Sequence, residues 1–331
     1  MFIKSRSILL FLPMLIAVGL ACNQPTNGTN KNSSQDNVIA VIDSSSPVVT
    51  KVQVMATTSI VTDWVKQVGG NRIYVDSIVP DSVNPHSYQP GAKDVVRITQ
   101  AKQIFAVGLM YERLWLTKLL ESYPELNVVK LGNFIEPIEF NDGEIDHDGH
   151  DEHGHHNAEF DPHFWFDPTR VSLAVTKITN VLSGIDPAGA AYYEERAAQY
   201  LTSLNELDRH IANEILRIPV SKRRIITEHE SLGYLGDRYN VEIFRAIIPS
   251  LSSESGPTPK DLVRAIDLIN KYNIPVIFIE NETNDKSAER VVEETDIKLA
   301  KGLSVETLTD GQTYIDLMKY NIAIIVSNLV D

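Results

Sequence analysis

Along the first half of the chain, short apolar and β-branched runs alternate with segments whose apolar residues recur every three or four positions. Runs at 52–56, 74–79, 103–107 and 127–131 predict strands, and the segments 60–68, 92–101 and 114–121 predict the helices between them. The alternation returns later, with strands expected at 224–227, 241–245, 276–280 and 304–308 and helices at 260–272, 286–295 and 313–329. Strands separated by helical crossovers pair in parallel. The expected fold is therefore α/β: two similar lobes, each with a mainly parallel four-stranded sheet flanked by helices.

Between the two series, Tyr193, Ala197, Tyr200, Leu201, Leu204, Leu207, Ile211 and Ile215 form one helical stripe. Asp186 followed by Pro187 supplies a helix start, and Pro219 bounds the far end. About 30 residues at 1.5 Å each would span roughly 45 Å, the length of a two-lobe molecule. The expected organisation is an N-terminal lobe at 51–185, one linking helix at 186–217 and a C-terminal lobe at 218–331. A crossing by one stiff helix should hinge little.

The first 21 residues read as an export signal, with Lys4 and Arg6 ahead of an apolar stretch too short to span a bilayer. Ala21-Cys22 resembles a bacterial lipoprotein processing site, although Gly19 stands where leucine is usual. Lipidation of Cys22 is expected, with plain cleavage as the alternative. Residues 22–50 would then be the acylated cysteine and a polar tether that holds the domain off a membrane. Cys22 is the single cysteine, which excludes an intramolecular disulfide and a thiolate zinc site. The net charge of −14 argues against nucleic acid or anionic lipid as a partner.

Chemistry concentrates in an acidic loop at 142–157, where His147, His150, His153, His155 and His156 stand among carboxylates. Imidazole and carboxylate at this density suggest weak divalent-metal contact, against the plainer reading of a solvated acidic loop. Open parallel sheets bind ligands beyond the carboxyl ends of their strands. Four residues stand out in such positions: His86 in a proline-bounded loop, His163 after the acidic run, His229 after the strand at 224–227, and Asp310 after the strand expected at 304–308. Each alone has an ordinary explanation as a surface histidine, a turn residue or a helix cap. Together, two from each lobe would close a tetrahedral site in the cleft.

At these residues the chain resembles the metal-binding solute-binding lipoproteins of bacterial ABC importers for zinc and manganese. The matching phrases are Asn84-Pro85-His86 with Tyr88 and Pro90, Asp161-Pro162-His163 with Trp165 and Asp167-Pro168, the 227–234 segment with His229, the end of the strand at Glu280, and Leu308-Thr309-Asp310 with Tyr314. The resemblance implies His86, His163, His229 and Asp310 as ligands and two lobes joined by one long helix. It also implies an extracytoplasmic, lipid-anchored monomer that serves a permease and its ATPase and performs no catalysis. Some relatives carry glutamate at the position of His229, so Glu228 and Glu230 remain neighbouring choices. These two and Glu280 are also candidates to orient the histidine rings.

Three imidazoles and a carboxylate suit Zn(II), whereas Mn(II) prefers more oxygen, so zinc is expected and manganese is the alternative. The histidine-rich loop points the same way, since in this family such loops accompany zinc binders. A zinc hydrolase is a rival reading, but His229-Glu230 is followed by Ser231-Leu232-Gly233 and forms no HExxH motif. An adhesin and an extracytoplasmic zinc chaperone complete the set of rival functions.

Overall fold

A computed structural model describes residues 51–81, 83–140, 159–244, 257–281 and 286–330. The N-terminal part runs β1 (Val52–Ala56), α1 (Ser59–Gly69), β2 (Ile73–Ser77), α2 (Ala92–Gln100), β3 (Gln103–Ala106), α3 (Leu116–Ser122) and β4 (Val128–Lys130). A two-stranded antiparallel pair follows, β5 (Glu139–Phe140) with β6 (Glu159–Phe160). Two helices come next, α4 (Pro168–Ile185) and α5 (Ala190–Leu216). The C-terminal part is β7 (Arg224–Thr227), α6 (Gly233–Tyr239), β8 (Glu242–Phe244), α7 (Pro259–Tyr272), β9 (Val276–Glu280), α8 (Lys286–Thr295), β10 (Lys298–Leu303) and α9 (Tyr314–Leu329).

The two four-stranded sheets are parallel throughout, in the orders β2-β1-β3-β4 and β10-β9-β7-β8. Each keeps its strands in step through helical crossovers on both faces. Alternate side chains explain why the inner strands read as continuous apolar runs. In β1, Val54 and Ala56 enter a large central core while Met55 enters a separate outer cluster. In β9, Val276 and Phe278 face the same central core, and Ile277 and Ile279 an outer cluster of their own. The inner faces of both sheets thus share one core.

α5 supplies much of that core through Tyr193, Ala197, Tyr200, Leu204, Leu207, Ile211 and Ile215, all buried. Its 27 residues span roughly 40 Å at 1.5 Å per residue. Its start differs from expectation. A separate helix, α4, ends at Ile185, and residues 187–189 make one 3₁₀ turn before α5 begins at Ala190. Asp186 therefore does not cap the long helix; its carboxylate accepts from Arg72 Nε at 2.9 Å and from the Tyr193 hydroxyl at 2.7 Å. α4 carries its own start signal, with Asp167 Oδ1 accepting from the Thr169 amide at 2.8 Å and Pro168 at the first helical position.

The last helix packs on α1 and α5 as well as on β10. The Tyr314 amide donates to Asp63 Oδ2 of α1 at 3.0 Å, and the Tyr314 hydroxyl donates to the Trp165 carbonyl at 2.5 Å. Among the described residues no helix is long and apolar enough to cross a membrane.

Candidate metal centre

Loops at the carboxyl ends of both sheets, with the loop after β6, converge on four side chains: His86, His163, His229 and Glu306. His86 lies between β2 and α2, His163 follows β6, His229 follows β7, and Glu306 follows β10. His163, His229 and Glu306 are fully buried and His86 is 6% exposed. Glu306 Oε1 is the common point, 3.2 Å from His86 Nε2, 3.3 Å from His163 Nε2 and 3.2 Å from His229 Nε2. One carboxylate oxygen and three imidazole nitrogens thus face one small volume.

Two of the rings are held by carboxylates on their far side. Asp161 Oδ1 lies 2.7 Å from His163 Nδ1 and accepts from the His163 amide at 2.9 Å. Glu280 Oε2 lies 2.6 Å from His229 Nδ1, while Glu280 Oε1 accepts from the Ser231 hydroxyl at 3.1 Å. Such contacts fix which ring nitrogen points inward and raise its basicity. Asp161 is itself seated by α6: the Tyr234 hydroxyl donates to its carbonyl at 2.8 Å, and a Cβ at Gly233 would come within 2.5 Å of Asp161 Oδ2. Only glycine allows that approach.

The electrostatics follow from this arrangement. Burial disfavours a charged His163 ring, yet Asp161 and Glu306 outweigh it and push the pKa up to about 9. Burial also opposes charge on His229, and Glu280 and Glu306 overcome it in the same direction. Glu306 is held well below the usual carboxylate range: burial pushes it up, but His86, His163 and His229 together prevail. The buried carboxylates Asp161, Glu280 and Glu306 thus favour positive charge among the rings of His163 and His229, as a cation site requires.

Of the residues singled out from sequence, His86, His163 and His229 come together here. Asp310 does not. It is exposed, in the turn where the Gln312 amide donates to the Thr309 carbonyl at 3.0 Å. The strand expected at 304–308 accounts for the difference, because β10 ends at Leu303 and residues 304–308 are a buried loop. The pairing of β10 with β9 shifts register between Lys301 and Leu303, with Gly302 at φ 109°, and the chain then leaves the sheet. The carboxyl-end rule holds, but the residue it selects is Glu306. Of the neighbouring acids, Glu280 contacts His229, whereas Glu228 is buried and Glu230 half-buried outside the cluster. Cys22 and His147, His150, His153, His155 and His156 lie outside the described residues. Sequence reasoning also missed Tyr111, whose hydroxyl donates to Glu306 Oε2.

Two parallel sheets joined through a long helix, with a closed cluster of imidazoles and one carboxylate between their loops, define a metal-receptor class of protein. The chain belongs to the family described as zinc-uptake complex component A, periplasmic, whose sequence profile matches residues 54–328. Members of this family are solute receptors, not enzymes. Among curated relatives, the manganese-binding lipoprotein MntA of Halalkalibacterium halodurans is 28% identical over 284 residues, covering 84% of this chain and 88% of that protein. The metal ABC transporter substrate-binding lipoprotein ScbA of Streptococcus cristatus is 28% identical over 334 residues, 98% of this chain and 99% of the other. Among solved structures, the periplasmic zinc-binding protein TroA from Treponema pallidum superposes with a TM-score of 0.75 at 23% identity, over 85% of this chain and all of that one.

Proposed function

We propose that this protein is the extracytoplasmic receptor of an ABC importer, capturing Zn(II) with His86, His163, His229 and Glu306 and handing it to a membrane permease driven by its ATPase. The observation that carries the reading is the donor spacing, with three imidazole nitrogens 3.2–3.3 Å from Glu306 Oε1. A tetrahedron with metal–ligand bonds of about 2.0–2.1 Å has edges of about 3.3–3.4 Å. Three nitrogens and one oxygen also favour zinc over manganese, which prefers oxygen-rich sites. The family description, zinc uptake, supports the same ion.

Manganese is the second reading, favoured by the names of relatives such as MntA. Those relatives are also named lipoproteins, which supports acylation at Cys22 and attachment to the outer face of a membrane. Asp161 and Glu280 orient the rings of His163 and His229. The five histidines of residues 142–157 act as a weak collector that raises the local metal concentration.

The test is metal content and affinity of the purified protein beside His86→Ala, His163→Ala, His229→Ala and Glu306→Ala. One tight equivalent of Zn(II) is expected, lost in each variant and not displaced by equimolar Mn(II). Tight binding retained in all four variants overturns the ligand assignment, and preferential retention of Mn(II) overturns the choice of ion. Loss of zinc uptake on deleting the gene, with the permease present, separates an importer component from a chaperone.

A further inference from the structure

We propose that Tyr111 sets the ion preference of the site, by holding the second oxygen of Glu306 so that the carboxylate binds through one oxygen and the site stays four-coordinate. The inference rests on the ligand set proposed above. Glu306 Oε1 faces the three imidazoles, while Oε2 accepts the Tyr111 hydroxyl. A charge-assisted hydrogen bond to a buried carboxylate oxygen is among the strong ones, and rotating the carboxylate to bring that oxygen towards an ion pulls it away from the Tyr111 hydroxyl. The Tyr111 ring is confined as well. It is 3% exposed and packs edge-on against His86 at 4.4 Å and Trp165 at 5.5 Å.

The loop behind Tyr111 is built to present it. Leu109 and Met110 hold left-handed backbone conformations, φ 51° and 66°, a region that side chains of this size enter only where the surroundings hold them. The holding group is the buried Glu112 carboxylate. It accepts from the Thr57 hydroxyl at 2.6 Å, the Val107 amide at 2.7 Å and the Gly108 amide at 3.0 Å, and so clamps both ends of the turn. The outcome of this strained turn is the position of one hydroxyl on Glu306.

The chemical consequence is selective. Zn(II) is content with four donors, whereas an ion that favours five or six oxygen-rich positions gains from a carboxylate that can bind through both oxygens. Tyr111 competes for that second oxygen and so penalises the larger coordination number.

Tyr111→Phe in the full chain removes the hydroxyl and keeps the ring. Co(II) serves as the probe, because its visible absorption is intense in four-coordinate sites and weak at higher coordination. The expected result is one retained metal equivalent, a weakened Co(II) spectrum and a Zn(II)-over-Mn(II) affinity ratio lowered by about ten-fold. Either an unchanged spectrum or an unchanged ratio overturns the proposal. Complete loss of the equivalent from a folded variant also overturns it, since Tyr111 would then be a ligand itself. Failure of the unsubstituted chain to bind Co(II) or Zn(II) overturns the ligand set instead.

Discussion

Glu306 Oε1 lies 3.3 Å from His163 Nε2, joining residues 143 positions apart in the chain. The contact depends on two loops being seated together. The Trp165 indole, two residues past His163, donates to the Val305 carbonyl at 3.0 Å, and the Leu308 amide donates to the Ser59 hydroxyl at 2.9 Å. Glu306 is therefore fixed from both sides by residues of the N-terminal half.

Glu306→Ala is expected to weaken zinc binding by more than the roughly 10–100-fold that loss of a ring-orienting partner costs, because a donor itself is removed. Asp310→Ala should leave affinity unchanged, since Asp310 is exposed and outside the cluster. Competition titration against a chelator of known affinity reads both. Equal losses in the two variants would restore Asp310 to the site.

β1, β7, β9 and α8 have the bounds their sequence patterns predict, because the inner strands bury both faces and α8 has a regular stripe. β10 is an edge strand, Lys-Leu-Ala-Lys-Gly-Leu, whose exposed lysines hide it. The following Ser-Val-Glu-Thr-Leu is buried without being a strand, so apolar content points past the true end of the sheet. α4 is missing from the sequence-based expectation although Val171, Ala174, Val175, Ile178 and Leu182 keep a strict helical period. The three histidines are visible as residue types in loops after strands or after the acidic run. Tyr111 is not, because its reach to Glu306 depends on a left-handed turn that no periodicity reports.

Asn321→Ala tests whether the last helix positions the Glu306 loop. Asn321 Oδ1 accepts from the Ser304 amide at 3.0 Å, and its side-chain amide donates to the Ser304 carbonyl at 2.7 Å, both buried. Truncation removes two buried hydrogen bonds, at a cost of about 1–3 kcal/mol. Chemical denaturation should show that loss in the metal-free protein, and zinc affinity should fall with it as Glu306 loses its seat. Destabilisation without any change in affinity would separate the helix from the site.

Removing residues 142–157 tests the histidine-rich segment. The flanking β5 and β6 pair directly, Phe140 with Glu159, and the Asp161 amide donates to the Ile138 carbonyl at 3.0 Å, so the ends of the segment are already held together. A short turn in its place is expected to preserve the fold and the tight zinc equivalent while slowing uptake when zinc is scarce. Uptake equal to that of the complete chain at the lowest zinc concentrations would refute the collector role.

Zinc binding should release protons and weaken as the medium becomes acidic. Ligating imidazoles must be neutral, and Asp161 and Glu306 raise the His163 pKa from 6.5 to about 9 in the metal-free protein despite burial. A proton therefore occupies the ring at pH 7 and has to leave when the ion enters. Between pH 9 and 6.5 the apparent affinity should fall by about ten-fold per unit for each proton displaced. The same shift acts oppositely on the metal-free fold. A histidine whose pKa is raised on folding adds stability that is fully present below its unfolded value and is lost as pH climbs through its folded one. The metal-free protein should thus lose this contribution between about pH 6.5 and 9, while the zinc-loaded protein gains resistance to unfolding over the same interval. Calorimetric titration in buffers of different ionisation enthalpy counts the protons, and melting curves with and without zinc follow the divergence. Zero proton release at pH 7 would mean that the rings are neutral before the ion arrives, and the coupling between Asp161, His163 and Glu306 would then have to be abandoned.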